Sequence, residues 1–174
     1  SEIAFNKAVL ILAGYYDYFI SQDKSSVNFA KTLGFYCNGK IKRIYTSEDA
    51  YIVVLNALGY ETMANYYGGY DIGYQYIAKK EGLTKKVKPS DYFTNENAVT
   101  ILYNALFLNY FDSAGKDYFG EELVKKTDIT VLEKVFDCYK AIGLVTGVFQ
   151  RSLTGNAPLS NDKIVIDNVT SFMV

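Results

Sequence analysis

The sequence predicts a mainly α fold of about two and a half helix-loop-helix repeats, followed by a small C-terminal β-hairpin or β-ribbon module. Residues 26–58 align without a gap with residues 74–106, and ten of the 33 aligned pairs are identical. Apolar residues recur at helical spacing in both copies. After residue 143 the chain changes to alternating stretches rich in β-branched residues. A fixed period of 48 residues indicates supersecondary units that bury their apolar faces by stacking on one another.

The first copy is predicted to contain a helix that ends at a glycine, an irregular loop, and a second helix that begins at a threonine. The first helix covers residues 27–33 and ends at Gly34, because glycine adopts the left-handed C-terminal conformation without a Cβ penalty. The loop covers residues 35–45. Thr46 is the predicted N-cap of the second helix, and Glu48 lies in its first turn, where a carboxylate meets the positive end of the helix dipole.

The second copy repeats this plan. Its first helix covers residues 74–81 and ends at Gly82, its loop covers residues 83–93, and Thr94 is the predicted cap of its second helix. The apolar faces of the two capped helices are predicted to contain Ala50, Val53, Val54, Ala57 and Leu58 in the first copy and Ala98, Ile101, Leu102, Ala105 and Leu106 in the second.

The N-terminal segment is predicted to be the closing helix of an earlier repeat whose opening half is missing. With a shift of 45 residues, Ser1 aligns with Thr46. The residues that align with the apolar face are Phe5, Ala8, Val9, Leu12 and Ala13. Without its opening half, this helix is expected to leave its face from Phe5 to Leu12 exposed, which would favour an oligomer formed through the N-terminal helix.

The remaining segments complete a predicted division of the chain into five parts. These are a closing helix (1–21), two full repeats (22–65 and 66–110), a connector (111–128), and a helix with a β-rich, truncated end (129–174). The last helix is predicted over residues 129–142, ending at Gly143. Two or more strands are expected after it, separated by the turn-forming stretch NAPLSND.

Composition excludes several classes of function. The 174 residues contain no histidine, which removes Ser-His-Asp and Cys-His catalysis and the usual zinc sites. The net charge of −1 gives no basis for nucleic-acid binding. The longest apolar run, residues 8–13, is too short to span a membrane. The acid pairs Glu48-Asp49 and Glu121-Glu122 do not face each other across a groove, as glycoside hydrolysis requires. We therefore predict no enzyme activity, no catalytic residue, no cofactor and no metal site.

Two residue types leave alternatives open. Tyrosine, with 17 copies, suits either a sugar-binding or protein-binding surface or a tyrosine-rich core, because its ring is apolar and its hydroxyl polar. Cys37 and Cys138 form no ligand set and allow at most one disulfide.

Three stretches carry a resemblance to a known family. They are TSEDAYIVVLNALGYE, GGYDIGYQYIAKKEGL and FTNENAVTILYNAL, and the spacing from glycine stop to threonine cap is twelve residues in both copies. They resemble S-layer homology (SLH) repeats of Gram-positive surface proteins, over about residues 1–110. The stretch AIGLVTGVFQRSLTG and the later KIVIDNV look like the β-rich segment that follows such repeats.

The resemblance implies a secreted, non-catalytic module in the cell wall or surface layer, in which three repeats form a pseudo-threefold prong that binds a secondary wall polysaccharide. The family motif at the helix cap is Thr-Arg-Ala-Glu, and its arginine contacts an acidic sugar. This chain has Ser47 and Asn95 at the arginine positions and Glu2 in the partial first unit. The polysaccharide-binding residues predicted here are Arg43, Thr46, Ser47, Glu48, Thr94, Asn95, Glu96, Gly34 and Gly82.

The missing arginines leave two functions open. One is attachment of a larger protein to wall polysaccharide. The other is a structural self-assembly or protein-protein interaction module, packing against other SLH-like repeats, that has lost carbohydrate binding. Carboxylates near the caps, such as Glu48 and Glu96, would repel an anionic polymer.

Overall fold

The computed structural model describes residues 1–21, 25–70, 72–116, 118, 120, 122–140, 143–148, 151–152 and 165–167. The chain divides into two compact units, Ser1–Asp137 and Cys138–Val174. The first unit is mainly helical and the second contains a small antiparallel sheet. The predicted combination of a mainly α fold with a small C-terminal β module is therefore confirmed.

Within the described residues, the first unit has eight helices and a two-stranded sheet. In chain order the elements are α1 (Glu2–Leu12), α2 (Tyr16–Ile20), α3 (Ser26–Thr32), α4 (Ser47–Ala57), α5 (Glu61–Tyr66), α6 (Gly73–Glu81), α7 (Asn95–Ala105), β1 (Asn109–Lys116), β2 (Glu122–Thr130) and α8 (Val131–Phe136). Helices α1, α4 and α7, which correspond to one another in the repeat, each contact the other two. Their meeting faces form the centre of the hydrophobic core.

The threonine caps are confirmed. The Thr46 hydroxyl accepts a hydrogen bond from the backbone N–H of Asp49, and the Thr94 hydroxyl accepts one from Asn97. Ser1 caps α1 in the same way. Each hydroxyl satisfies one of the N–H groups that a helix start leaves without a partner, so the same local rule begins all three central helices.

The glycine stops are also confirmed. Gly34 and Gly82 have φ angles of 80° and 85°, the left-handed region that favours glycine. Each stop lets the chain turn away from its helix into the loop that leads to the next capped helix.

An asparagine in each capped helix fixes this loop. The side-chain amide of Asn56 donates to the Phe35 carbonyl at 3.1 Å. The amide of Asn104 donates to the carbonyls of Leu83 and Lys85 at 2.9 and 2.7 Å. Phe35 and Leu83 are 48 residues apart, so the identical asparagines hold equivalent carbonyls. This role explains why the repeat keeps asparagine at a position that faces the loop.

The predicted apolar faces are confirmed and, in α4, wider than expected. Ala50, Val53, Val54 and Leu58 are buried, but Tyr51, Ile52 and Leu55 are buried as well. The reason is that α4 contacts α1, α6 and α7 on different sides. In α7, Ile101 and Ala105 are buried and the other predicted residues pack against the core.

The predicted exposure of the N-terminal helix is wrong. Phe5, Val9, Leu10 and Leu12 are all buried. The cover comes from the chain itself, because α1 packs against α3, α4, α7 and α8. The Tyr110 hydroxyl also donates to the Leu12 carbonyl at the end of the helix.

The sequence did not predict the short helices α2 and α5 that follow α1 and α4. Helix α5 precedes α6 in the chain, and the two pack closely at Gly73. A Cβ at Gly73 would lie 1.9 Å from the Ala64 carbonyl oxygen, so only glycine permits this approach. Residues 61–66, for which the sequence predicted no separate helix, therefore form one that packs tightly against the next.

The segment predicted as a connector contains an antiparallel hairpin, in which β1 pairs with β2. The pairing is irregular between Asn109 and Phe111 and between Ser113 and Gly115.

The helix predicted over residues 129–142 is shorter, because α8 ends at Phe136 and Asp137 adopts a left-handed conformation. Buried Val131 joins this segment to the helical core.

The second unit contains β3 (Leu144–Val148), β4 (Arg151–Ser152) and β5 (Val165–Asp167). Strand β3 lies between β4 and β5, and both pairings are antiparallel. Strands in this part of the chain are therefore confirmed. The turn-forming stretch NAPLSND lies outside the described residues, as does the C-terminal stretch after Asp167.

Candidate functional site

The first candidate groove lies where the start of α4 meets the loop before α7. It has a volume of about 480 Å³. The lining residues are Thr46, Ser47, Glu48, Tyr51, Val87, Lys88, Pro89, Ser90 and Asp91. The groove thus joins the helix cap of one repeat to the loop of the next. We call it the cap groove.

A second groove adjoins it on the side of α6 and has a volume of about 470 Å³. The lining residues are Glu48, Tyr51, Ile72, Gln75, Tyr76, Lys79 and Thr84. Glu48 and Tyr51 line both grooves, so the two form adjacent parts of one surface. We call the second one the α6 groove.

Asn97 holds in place two residues that line the cap groove, Ser47 and Lys88. Its side chain is 1% exposed. The carbonyl oxygen accepts from the Lys88 N–H at 3.1 Å, and the amide donates to the Lys88 carbonyl at 2.9 Å. The amide also donates to the Ser47 hydroxyl at 3.1 Å. One asparagine therefore positions both the loop and the residue after the Thr46 cap.

Lys88, the cation among the residues that line the cap groove, is paired, as is Arg43. Lys88 forms an ion pair with Glu96 at 2.6 Å. Arg43 pairs with Glu2 at 3.3 Å, and its guanidinium lies 5.8 Å from the centre of the Tyr45 ring. Pairing lowers the attraction that these cations offer to an acidic ligand. The cap groove therefore has little positive charge available.

Tyr51 and Glu48 are close enough to interact electrostatically at the floor of both grooves. Burial raises the pKa of the Tyr51 hydroxyl, and the Glu48 carboxylate raises that pKa further. The phenol is accordingly neutral at pH 7 and can donate a hydrogen bond.

The structure brings together some of the predicted site residues and separates others. Thr46, Ser47 and Glu48 line the cap groove, and Glu96 reaches it through Lys88. The predicted residues that do not line either groove are Arg43, Thr94, Asn95, Glu96, Gly34 and Gly82. Thr94 caps α7 and the two glycines end helices, which are structural roles.

The residue that follows the helix cap faces the following loop in the first two units. Glu2 accepts hydrogen bonds from the Ile44 N–H at 3.1 Å and the Tyr36 hydroxyl at 3.0 Å. Ser47 accepts from Asn97, as described above. These positions therefore lie between repeats, but here they bind neighbouring protein groups.

Sequence reasoning missed Tyr51, Gln75, Tyr76 and Asn97. Asn97 aligns with Asp49, and this difference between the copies was the signal that could have drawn attention to it. Lys79, one of the residues identical between the copies, also lines the α6 groove.

No helix in the described part of the chain has both the length and the apolar character needed to cross a membrane. The same residues contain no cluster of His, Cys, Asp and Glu side chains suited to a metal ion. Buried Cys37 and exposed Cys138 are both free thiols. Comparison with known proteins gave no matching family model, no matching curated protein and no matching solved structure.

Proposed function

We propose that this chain is a non-catalytic, SLH-like module that attaches a larger protein to cell-wall polysaccharide outside the cell. The observation that carries the proposal is the groove between the Thr46 cap and the next repeat's loop. In SLH repeats, which this sequence resembles, the arginine that follows the cap contacts the polysaccharide.

The arrangement of the central helices supports the same proposal. Helices α1, α4 and α7 are capped by Ser1, Thr46 and Thr94 and pack pairwise against one another. Three equivalent helices in mutual contact are what a pseudo-threefold prong requires. The resemblance in sequence and the packing of the helices therefore agree.

The paired charges change the ligand that the site favours. An acidic polymer would meet Glu48 and Asp91 without an arginine fork to bind its carboxylates. Wall attachment in this chain therefore relies on hydrogen bonds and apolar contact rather than on ion pairs.

Co-sedimentation with isolated Gram-positive cell walls tests the proposal. We expect the chain to pellet with walls that carry their secondary polysaccharide and to stay in solution with walls from which it has been stripped. Glu48→Gln should weaken the binding about tenfold, the effect of losing a hydrogen bond to a charged group. Glu61→Gln is the matched control, because Glu61 is an exposed helix carboxylate outside both grooves.

Two results would contradict the proposal. One is a failure to bind any wall preparation. The other is wall binding by a Ser47→Arg, Asn95→Arg variant when the natural chain shows none, which would mean that this copy has lost the ligand. The alternative of self-assembly is weaker than the sequence suggested, because the α1 face on which it rested is buried within the chain.

A further inference from the structure

Three tyrosines form an exposed aromatic cluster beside the α6 groove. The ring centres of Tyr67 and Tyr76 are 4.6 Å apart, and those of Tyr66 and Tyr67 are 5.1 Å apart. Tyr66 is nevertheless 83% exposed and Tyr76 is 46% exposed. We call Tyr66, Tyr67 and Tyr76 the tyrosine platform.

The platform is held in place before any ligand binds. The Lys80 ammonium lies 5.4 Å from the centre of the Tyr67 ring and 5.9 Å from that of Tyr76, within the range of cation-π attraction. Tyr76 and Lys80 lie on α6, whereas Tyr66 ends α5. Contact between two closely packed helices therefore fixes the ring positions. Because the rings are already ordered, ligand binding loses less side-chain entropy.

The repeat scaffold does not require the Tyr76 ring. The residue that aligns with Tyr76 in the first copy is Asn28, whereas Tyr66 and Tyr67 align with Tyr18 and Phe19. Asn28 is exposed in α3, so the same helical position works without an aromatic ring. Tyr76, which completes the platform, is thus an addition in the second repeat rather than a consequence of its fold.

Tyr76 joins the platform to the polar groups of the α6 groove. Glu48 supplies acceptors, Lys79 supplies donors, and the Gln75 amide supplies both. The groove volume of about 470 Å³ falls within the range of roughly 300–1,000 Å³ typical of ligand sites. Exposed rings beside such groups match a sugar, which has a C–H face for stacking and hydroxyls at its edge.

The charge of the groove indicates which sugar. Among its lining residues, Glu48 and Lys79 carry opposite charges and the others are uncharged at neutral pH. The nearby Lys80 is engaged with the tyrosine rings. An acidic polymer gains little from this balance, whereas an uncharged one loses nothing.

We propose that the tyrosine platform and the α6 groove bind an uncharged polysaccharide. Sugar rings stack on Tyr66 and Tyr76, because the negative face of an aromatic ring attracts the slightly positive C–H face of the sugar. Sugar hydroxyls exchange hydrogen bonds with Glu48 and Gln75. The inference rests on the proposed wall-attachment function and names the chemical class of its ligand.

Binding of the intact chain to two fractions of Gram-positive wall polysaccharide tests this inference. Anion exchange separates an uncharged fraction from an acidic one. We expect tighter binding to the uncharged fraction, with an affinity that does not change as salt is raised, since salt screens only charge interactions. Tyr66→Ala and Tyr76→Ala should each weaken this binding about fivefold, and Tyr76→Phe should retain it.

The matched control is Tyr103→Ala, which removes another exposed tyrosine that lies outside both grooves and the platform. It should bind as the natural chain does. Thermal unfolding of every variant checks that the fold is kept.

The remaining outcomes separate this inference from the function on which it rests. Binding of the acidic fraction alone, or equal binding of both fractions, overturns the inference and leaves wall attachment standing. If the natural chain and the tyrosine variants bind the uncharged fraction equally well, the inference is also overturned and wall attachment stands. The ligand would then lie elsewhere on the protein. Failure to bind either fraction, or intact walls, overturns both.

Discussion

The two full repeats cap their central helices in the same way but use the third residue of each helix differently. Asp49 accepts hydrogen bonds from the N–H groups of Tyr45 and Thr46 at 2.9 and 3.0 Å, at the start of its own helix. Its counterpart Asn97 bonds both backbone groups of Lys88 and the Ser47 hydroxyl.

The difference follows from the chemistry of the two side chains. A carboxylate only accepts hydrogen bonds, so Asp49 turns toward the N–H groups of its cap. A carboxamide also donates, so Asn97 can hold a loop by its N–H and its carbonyl together and still reach the preceding repeat. One substitution thus decides whether this residue secures its own helix or links two repeats at the cap groove.

The largest predicted effect concerns the segments before α3 and α6, which also differ between the repeats. Helix α3 begins at Ser25, whose hydroxyl caps it, whereas α6 begins where Gly73 packs against α5. Gly73→Ala places a methyl group against the Ala64 backbone, which cannot move aside as a side chain can. We expect the free energy of unfolding to fall by about 4 kcal/mol, above the usual range for overpacking.

Urea unfolding followed by circular dichroism measures this loss. The control is Ser25→Ala, which removes only a cap and should cost about 1 kcal/mol. Equal losses in the two variants would contradict the close approach of α5 and α6. Because the tyrosine platform spans these helices, Gly73→Ala should also weaken binding to the uncharged polysaccharide.

The second prediction compares the asparagines that fix the loops. Asn104→Ala removes two hydrogen bonds to loop carbonyls and should cost about 2 kcal/mol. Asn56→Ala should cost about 3 kcal/mol, because it also removes the acceptor of the buried Tyr74 hydroxyl. In a double-mutant cycle, Tyr74→Phe should reduce the cost of Asn56→Ala. Additive losses would show that Tyr74 and Asn56 are not coupled.

The elements that the sequence predicted are those set by local chemistry. A threonine hydroxyl reaches an N–H three residues away, and a glycine stop needs only its own backbone, so Thr46, Thr94, Gly34 and Gly82 could be assigned. The asparagines show the limit of this reasoning. Asn56 and Asn104 were seen to be identical, but the carbonyls that they hold lie 21 residues earlier in the chain.

The hairpin β1–β2 escaped the sequence analysis for a different reason. A strand is recognised by alternation of apolar and polar residues, and the irregular pairing of β1 interrupts that alternation. For the candidate site, Thr46, Ser47 and Glu48 were found from the cap motif. The platform was missed because its rings come from two helices, one of which, α5, was not predicted.

The third prediction exchanges the residues that distinguish the two caps. Asn97→Asp should lower the free energy of unfolding by about 2 kcal/mol, because it places a carboxylate against the Lys88 carbonyl and removes the donor to Ser47. Asp49→Asn should cost about 1 kcal/mol, the usual value of a weakened cap. Equal costs in the two directions would contradict the linking role of Asn97.

The smallest effect concerns pH, at the position three residues beyond the end of α4 and of α7. Tyr60 is buried after α4, and its counterpart after α7 is Leu108, which cannot ionise. Burial raises the pKa of the Tyr60 hydroxyl, and the Glu81 charge raises it further. The hydroxyl donates to the Asn109 carbonyl at 2.8 Å, a bond that the ionised form cannot make.

The sign of the pH effect follows from proton binding. In the unfolded chain Tyr60 ionises near its ordinary pKa of about 10, while the folded protein keeps the proton to higher pH. The folded state therefore binds more protons above pH 10, and stability falls there as pH rises, by up to about 1.4 kcal/mol per pH unit for this one group.

The variant Tyr60→Phe tests this effect. Above pH 10 its free energy of unfolding should fall less steeply with pH than that of the natural chain, by that amount per pH unit. Between pH 7 and pH 9 the difference in stability between the two proteins should stay constant, since neither state ionises Tyr60 there. An unchanged alkaline slope in Tyr60→Phe would mean that the phenol is ionised as easily in the folded protein as in the unfolded chain.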